Sequence, residues 1–401
     1  MRMNIKESVT YMKRVALLLT VVSAMTLACA GLALAQAGPT PGQDQGPPEG
    51  VILGQYIVVF KDGVQDPTAV ARAHAQRHCA EILFSYQHSI KGYAARFPEG
   101  RLDKVRADEQ VAYVEPDMTA YARAQTLPWG TNRIDADVSS TDAGNGSGAV
   151  SNVNAYIIDS GIYRHTDLNV VGHVNFAGGK NTDCNGHGTH VTSTVAAKDN
   201  TSYVVGAAPG APLTGVKVLG CNGSGSYSSV IKGVDWVTAN ARKPAIANMS
   251  LGGPSSKALD DAVTRSAASG IFYSIAAGND GVDACTQSPA RVGAGTNNGI
   301  ATVAATDTSE AETSWSNCGP CVDIWAPGAN IRSTSKMGGT TTMSSNSMAA
   351  PHAGGGAALY LSSHTSRSPW EVESELVNAA RTTGKTSKDS QSILREYVGE
   401  F

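Results

Sequence analysis

Three residue types that together perform acyl transfer stand at the ends of predicted elements in this chain. Asp159 terminates the apolar run 155–159 (AYIID) and is followed by Ser160-Gly161, a tight turn. His187 opens a helical run within Asn185-Gly186-His187-Gly188-Thr189-His190, and Ser347 opens another within Ser345-Asn346-Ser347-Met348-Ala349-Ala350-Pro351-His352. A serine hydroxyl is a weak nucleophile and needs an adjacent base, while an imidazole needs a carboxylate to fix its tautomer. Asp, then His, then Ser is one of the chain orders in which that triad occurs. Rival uses of the same residues fail on spacing. A zinc-binding protease helix wants His at i and i+4 with an intervening Glu, whereas His187 and His190 stand at i and i+3 with none, so His190 and His352 read as structural. A lipase-like elbow needs G-x-S-x-G, and Ser347 has Ser345 before it and Ala349 after it.

The elements that must position these groups form a regular alternation. Short apolar runs at 154–158, 215–219, 246–250, 271–276 and 302–305 read as strands, with helical runs at 187–197, 226–241, 257–268, 347–362 and 369–380. Fully apolar strands separated by helices predict a buried parallel sheet with helices on both faces. Ligand sites of such sheets form at the carboxyl ends of the strands, which is where Asp159 lies. Upstream is a second, smaller pattern. Residues 55–61 (QYIVVFK) read as a strand, and 67–79 as a helix with Asp66 as N-cap and Pro67 in its first turn. Strands at 82–86 and 92–97, a helix at 99–108 and a strand at 111–114 complete a βαββαβ order, the split βαβ arrangement. A module of this size suits a carrier, an inhibitor or a folding aid.

Composition narrows the class. The chain has 401 residues with 31 Lys plus Arg against 34 Asp plus Glu, so no global basic field favours nucleic acid as a partner. A hydrophobic content of 41% is too high for a disordered chain. Arg2, Lys6, Lys13 and Arg14 precede an apolar run, 15–35, that ends in Ala33-Leu34-Ala35 or Ala35-Gln36-Ala37. Basic start, apolar centre and A-x-A exit predict a secretory signal over 1–35, with Met12 as an alternative start. A run of about 20 apolar residues can also span a bilayer, but the A-x-A exit and the Pro/Gly/Gln-rich stretch 36–54, a linker, favour cleavage. The protein is therefore expected outside the cell, touching a membrane only through its signal segment. Five cysteines follow the small module (Cys184, Cys221, Cys285, Cys318 and Cys321), and in an oxidising compartment an odd count leaves one over.

Five segments taken in order resemble one family. Ile158-Asp159-Ser160-Gly161-Ile162, His187-Gly188-Thr189-His190, Asn248-Met249-Ser250-Leu251-Gly252-Gly253, Ala276-Ala277-Gly278-Asn279-Asp280 and Ser347-Met348-Ala349-Ala350-Pro351-His352 are similar to subtilases, the subtilisin-like serine proteases. The likeness is greatest to the proteinase K and aqualysin branch and spans nearly all of the chain after Ala124. It implies an α/β fold, a subtilisin-like parallel sheet with helices on both faces, over 124–401. The module at 55–121 resembles the family's α+β ferredoxin-like propeptide, which acts as intramolecular chaperone and inhibitor.

The same resemblance implies roles. Asp159 would be the orienting carboxylate, His187 the general base and then acid, and Ser347 the nucleophile, since it alone of Ser344, Ser345 and Ser347 directly precedes Met-Ala-Ala-Pro-His. Asn279 would donate to the oxyanion with the Ser347 N–H as second donor. Substrate would lie as an added strand. Ser250, Leu251, Gly252 and Gly253 with Ala276, Ala277 and Gly278 would wall the pocket before the scissile bond. Gly223, Ser224 and Gly225 would lie along the far side, with Tyr227 near the pocket. Gly and Ala walls imply broad specificity favouring large apolar or aromatic residues, with no acid or base selecting for charge. Protein and peptide substrates, the chain's own propeptide as inhibitor, and a monomer are expected.

No cofactor is expected for catalysis, and structural calcium is expected at Asp323 with carbonyls of 290–293. Asp135, Asp137 and Asp142 read as a solvated acidic loop in preference to a second calcium site. The aqualysin-like pattern implies disulfides Cys184–Cys221 and Cys285–Cys321, with Cys318 free or competing for Cys285. Three departures stand out. Ser345-Asn346 replaces the family's usual Gly-Thr, where glycine often reflects positive φ or close approach. Thr192-Ser193 replaces Ala-Gly, and Ala353-Gly354-Gly355 replaces Val-Ala-Gly. None removes a catalytic group, but Ser345-Asn346 motivates a rival, a subtilase-fold peptide-binding protein with weak or no turnover.

Overall fold

A computed structural model describes residues 51–98, 100–118, 125–293 and 297–401. The expected signal segment, most of the linker and residues 121–124, near which the propeptide is expected to be cut, lie outside the described residues. The chain divides into two compact units, Met1–Ala120 and Tyr121–Phe401.

In the first unit β1 (Val51–Phe60), α1 (Pro67–His78), β2 (Glu81–Tyr86), β3 (Gly92–Arg96), α2 (Leu102–Arg106) and β4 (Val111–Met118) follow in βαββαβ order. Their sheet is antiparallel in the order β2-β3-β1-β4. Asp66 caps α1 by accepting from the Ala69 N–H, and Cys79 ends it in the left-handed region at φ 54°. Val58, Phe60, Tyr93, Ala95, Val105 and Val111 form the core between sheet and helices. Three expected boundaries move, the helix expected over 99–108 being the shorter α2, Leu102–Arg106. Residues 51–54 belong to β1 rather than to the linker, because Val51 pairs with Met118 on β4. For the same reason β4 runs on through Glu115-Pro116-Asp117, residues of low strand propensity held by pairing with β1.

The second unit begins with α3 (Trp129–Arg133), β5 (Asn154–Asp159), β6 (Val170–Asn175), α4 (His187–Ala196), β7 (Leu213–Lys217), α5 (Tyr227–Asn240) and β8 (Ala245–Met249). It continues with β9 (Gly253–Pro254), α6 (Lys257–Ala268), β10 (Phe272–Ala276), β11 (Gln287–Ser288), β12 (Ile300–Thr306), β13 (Ile324–Pro327), β14 (Ile331–Thr334) and β15 (Thr340–Met343). Last come α7 (Asn346–Ser363), α8 (Pro369–Ala379), β16 (Arg381–Thr386) and β17 (Ser392–Arg395). A nine-stranded sheet runs β16-β17-β13-β12-β10-β8-β5-β7-β6. It is parallel throughout except for the β16–β17 edge hairpin. Val191, Val195, Ala349, Leu359 and Leu376 from α4, α7 and α8 cover one face. Val230, Val234, Val237, Leu259 and Val263 from α5 and α6 cover the other.

The chain places β7 on one side of β5 and β8 on the other. That reversal makes the carboxyl end of β5 a topological switch point, the place where open α/β sheets leave a crevice. Asp159 is the last residue of β5. The helix that carries Ser347, α7, lies deep in the molecule, with every residue from Asn346 to Leu361 buried. Its glycines make this possible. A Cβ on Gly354 would stand 2.7 Å from Ser274 Oγ, and one on Gly355 2.6 Å from the Ala207 Cβ. Gly354-Gly355 is thus a close-packing surface, offsetting the conformational cost of glycine in a helix. At Ser193 the added hydroxyl is absorbed by a hydrogen bond from the Thr334 N–H of β14, at 3.3 Å.

Candidate active site

Asp159 is fully buried and turns its carboxylate toward α4. His187 Nδ1 lies 2.8 Å from its Oδ1 and 3.0 Å from its Oδ2. The Ser160 N–H also donates to Oδ1, at 2.6 Å. Burial pulls the His187 imidazolium down, but the Asp159 charge, the hydrogen bond to it and the nearby Asp183 outweigh burial and raise its pKa above 6.5. With Nδ1 committed to Asp159, Nε2 is left to exchange protons with a substrate or nucleophile.

The loop that delivers His187 is organised by Asp183. Its Oδ1 accepts from Ser160 Oγ at 2.9 Å, the Asn185 N–H at 2.9 Å and the Gly186 N–H at 2.8 Å. Its Oδ2 accepts from the Thr189 N–H and hydroxyl at 2.9 and 2.5 Å. A buried carboxylate with five donors is well satisfied, and it ties the first turn of α4 to the residue after Asp159. Lys217, buried at the end of β7, donates to the carbonyls of Ser160 at 2.7 Å and Leu219 at 2.8 Å. Neither residue is prominent in the sequence; the visible signal is a lysine inside an apolar strand and an acid four residues before His187.

Ser347 is buried at the start of α7, with its Oγ donating to the Ser250 carbonyl at 3.2 Å rather than to His187. Ser250 Oγ donates in turn to the Ser347 carbonyl at 2.8 Å. The catalytic hydrogen bond from a serine to its histidine often forms fully only with substrate bound. Asn279 Oδ1 accepts from the Asn346 N–H at 2.8 Å. That bond fixes the carboxamide's orientation and leaves Nδ2 as a free donor. Asn346 is knitted in further, accepting from Ser316 Oγ at 2.9 Å and donating to the Gly278 carbonyl. The expected strain at Ser345 is corrected: its backbone is extended, φ −176° and ψ 172°, a conformation open to any residue. Its Oγ caps α7 by accepting from the Ser347 N–H at 2.9 Å.

A cavity of about 570 Å³ is lined by Leu251, Gly252, Gly253, Pro254, Ala276, Gly278, Asn279, Asp280, Thr286, Gln287 and Ser347. Of the other expected wall residues, Ala277 is buried behind it and Tyr227 reaches its rim by donating to the Pro254 carbonyl at 2.7 Å. Gly223, Ser224 and Gly225 do not line it. They form a turn after β7, where a Cβ on Gly223 would stand 3.2 Å from Asn185 Nδ2. The expectation of no acid at the pocket is also corrected, because Asp280 borders it and accepts from Gln287 Nε2 at 2.5 Å.

The remaining sites are peripheral. Cys184–Cys221 and Cys285–Cys321 are disulfides, and Cys318 is a buried thiol. His190 Nε2 faces the Ile331 carbonyl at 3.0 Å, and His352 Nδ1 the Met348 carbonyl at 2.9 Å. Among the described residues no cluster of three or more His, Cys, Asp or Glu could hold a metal. No helix among them is long and apolar enough to cross a membrane.

Comparisons with known proteins agree with this architecture. The model of the Subtilase family matches residues 151–397, and that of Peptidase inhibitor I9 matches residues 55–123. Alkaline serine exoprotease A of Vibrio alginolyticus is 38% identical over 384 residues, 86% of this chain and 67% of that protein. The extracellular serine proteinase of Thermus sp. (strain Rt41A) is 39% identical over 383 residues, covering 84% and 88%. A crystal structure of a cold adapted subtilisin-like serine proteinase superposes with a TM-score of 0.59 at 38% identity, over 68% of this chain and 97% of that one. The chain belongs to the subtilase family of serine proteases and carries an inhibitor I9 propeptide domain.

Proposed function

We propose that this is a secreted serine endopeptidase, made as a self-processing zymogen, that works through an Asp159-His187-Ser347 triad. Ser347 Oγ adds to a peptide carbonyl carbon while His187 Nε2 takes its proton. The tetrahedral oxyanion is held by Asn279 Nδ2 and the Ser347 N–H. Collapse expels the amine, protonated by His187, and leaves an ester on Ser347 that water hydrolyses by the same proton path. The observation that carries this reading is the Asp159–His187 hydrogen bond at the switch point, with an asparagine carboxamide locked beside the serine. The cavity beside Ser347 has room for a large apolar or aromatic side chain, which supports broad specificity.

In this reading residues 1–35 direct export, the extracellular naming of the Thermus relative being consistent with that route. Residues 55–121 assist folding and inhibit the cleft until cleavage near 121–124, and the mature enzyme works as a monomer. The test is the intact mass of exported wild type beside Ser347→Ala. Loss of the propeptide in the wild type alone supports the reading; full-length protein in both overturns it.

Calcium has no part in the chemistry and belongs, in this proposal, at Asp323. Its Oδ2 accepts from the Thr302 N–H at 2.7 Å. A Cβ on Gly293 would stand 2.5 Å from that oxygen, 2.5 Å from Thr302 Oγ1 and 2.7 Å from the Cys321 carbonyl. These oxygens converge on Gly293 itself, so what supports a hard cation is the donor chemistry, a carboxylate beside backbone carbonyls, and such an ion would brace the loop before β12. Chelation should lower the melting temperature of the wild type and leave Asp323→Asn unmoved; equal shifts would remove the assignment.

A further inference from the structure

Ser345 stands next to the chemistry without a role in it. It is the N-cap of α7, and its Oγ accepts from the Ser347 N–H at 2.9 Å. Serine hydroxyls bond the N–H of the second or third helical residue in just this way, and the helix start gains stability from it. Here, however, the second helical residue is the nucleophile, and its N–H is one of the two donors the proposed mechanism needs. A single N–H cannot serve a capping hydroxyl and an oxyanion at full strength. The two donors are therefore in different states. Asn279 is poised, because Asn346 holds its Oδ1 and leaves Nδ2 unspent. The Ser347 N–H is already engaged.

The hydroxyl that engages it is lightly held. Its own proton is directed at Met348 Sδ, 3.2 Å away, and a thioether is a weak acceptor. Ser345 is half-buried rather than packed solid, so rotation about its Cα–Cβ bond can withdraw the hydroxyl when a carbonyl oxygen arrives.

We propose that the Ser345 hydroxyl gates the oxyanion site: it occupies the Ser347 N–H, and the reacting carbonyl oxygen must displace it before both donors act. The proposal rests on the protease reading above. It makes Ser345 a residue that trades turnover for a firmer start to the nucleophile's helix. Breaking a serine cap costs roughly a two- to thirtyfold factor in an equilibrium, and that factor falls on the step in which the oxyanion forms.

The test compares the wild-type mature enzyme with Ser345→Gly, which keeps an acceptable N-cap, with Ser345→Ala and with the hydroxyl-bearing Ser345→Thr, on a peptide amide substrate. Removing the hydroxyl should raise kcat about three- to tenfold with KM unchanged, while Ser345→Thr stays at the wild-type rate. Binding of a peptide aldehyde, whose adduct fills the oxyanion site, should tighten by the same factor. Binding of the same peptide with a reduced scissile bond, which has no carbonyl oxygen, should not change. The alanine variant guards against a glycine variant that fails to fold. If the wild type is active and neither variant is faster nor binds the aldehyde more tightly, the gate is wrong and Ser345 is only a cap. If both variants are slower and bind the aldehyde less tightly, the hydroxyl assists the oxyanion and the proposal is overturned. Absence of Ser347-dependent hydrolysis in the wild type and all three variants would remove the protease reading itself and the gate with it.

Discussion

Asn346 gives the clearest case of a single side chain set by its neighbours. Its N–H orients the Asn279 carboxamide, and its own amide bridges Gly278 and Ser316. Replacing Asn279 with Ala should lower kcat about 10²–10³-fold by deleting an oxyanion donor, with KM little changed. Asn346→Ala should lower kcat less, about tenfold, because the N–H that holds Asn279 Oδ1 survives in any residue while the side-chain bridge is lost. Steady-state kinetics on a peptide amide separates the two. His187 supplies a pH prediction. Since its pKa is raised above 6.5 by Asp159 and Asp183 against the pull of burial, and only the neutral ring accepts a proton, activity should fall on acidification with a midpoint above 6.5. A rate that stays flat from pH 8 down to 5 would exclude His187 as the base.

At the scale of elements, the site depends on how two helices are held. The start of α4 is clamped by Asp183 and by the Cys184–Cys221 bridge, which ties the loop before His187 to the turn after β7 across 37 residues of sequence. A bridge closing a loop of that length is worth about 2–4 kcal/mol. Replacing both cysteines with Ser should therefore lower the melting temperature by roughly 5–10 °C, measured in the Ser347→Ala background to prevent self-digestion. For α7 the limit is space. Gly355→Ala would press a methyl group to within 2.6 Å of the Ala207 Cβ. Although alanine favours helix, the variant should be destabilised by about 1–3 kcal/mol, and calorimetry showing a gain would contradict the close packing.

For the whole molecule, stability should carry the mark of a buried acid. Glu396 is fully buried, neither carboxylate oxygen has a hydrogen-bond partner among the described residues, and burial pushes its pKa up to about 8 against the pull of Arg395. A folded-state pKa above the unfolded one means that the native protein holds the proton more tightly. Its contribution is fully present below about 4.5 and is lost as pH rises through about 8. Glu396→Gln, in the Ser347→Ala background, should match the parent near pH 5 and exceed it in denaturant resistance at pH 9. A parallel pH dependence for the two would refute the assignment. At this same scale a sheet with so many non-local parallel pairings folds slowly, which is the physical support for the folding role proposed for residues 55–121.

The chain order Asp, His, Ser and the class of fold can be read along the sequence. Strands of Ile, Val and Ala must be buried on both faces, so β5, β7, β8, β10 and β12 were legible with boundaries within two residues; the βαββαβ module was legible in its order, with three boundaries off by three or four residues. Asp159, His187 and Ser347 stand at or beside the ends of elements, which short-range pattern records, whereas Asn279, in the loop after β10, is singled out only by the resemblance to subtilases. The edge strands β6 and β16, and β17 beside the latter, were not, since half-exposed segments such as RTTGKT carry little hydrophobic pattern and are strands only because a neighbour pairs with them. Tertiary structure alone decided what long-range contact decides. It placed Asp280 at the pocket, set the turn at 223–225 beside Asn185, and held Ser345 in an extended conformation. It also brought the hydroxyl of Ser345 onto the Ser347 N–H. Spacing along the chain says which residues stand near an end; only packing says which atoms there already have a partner.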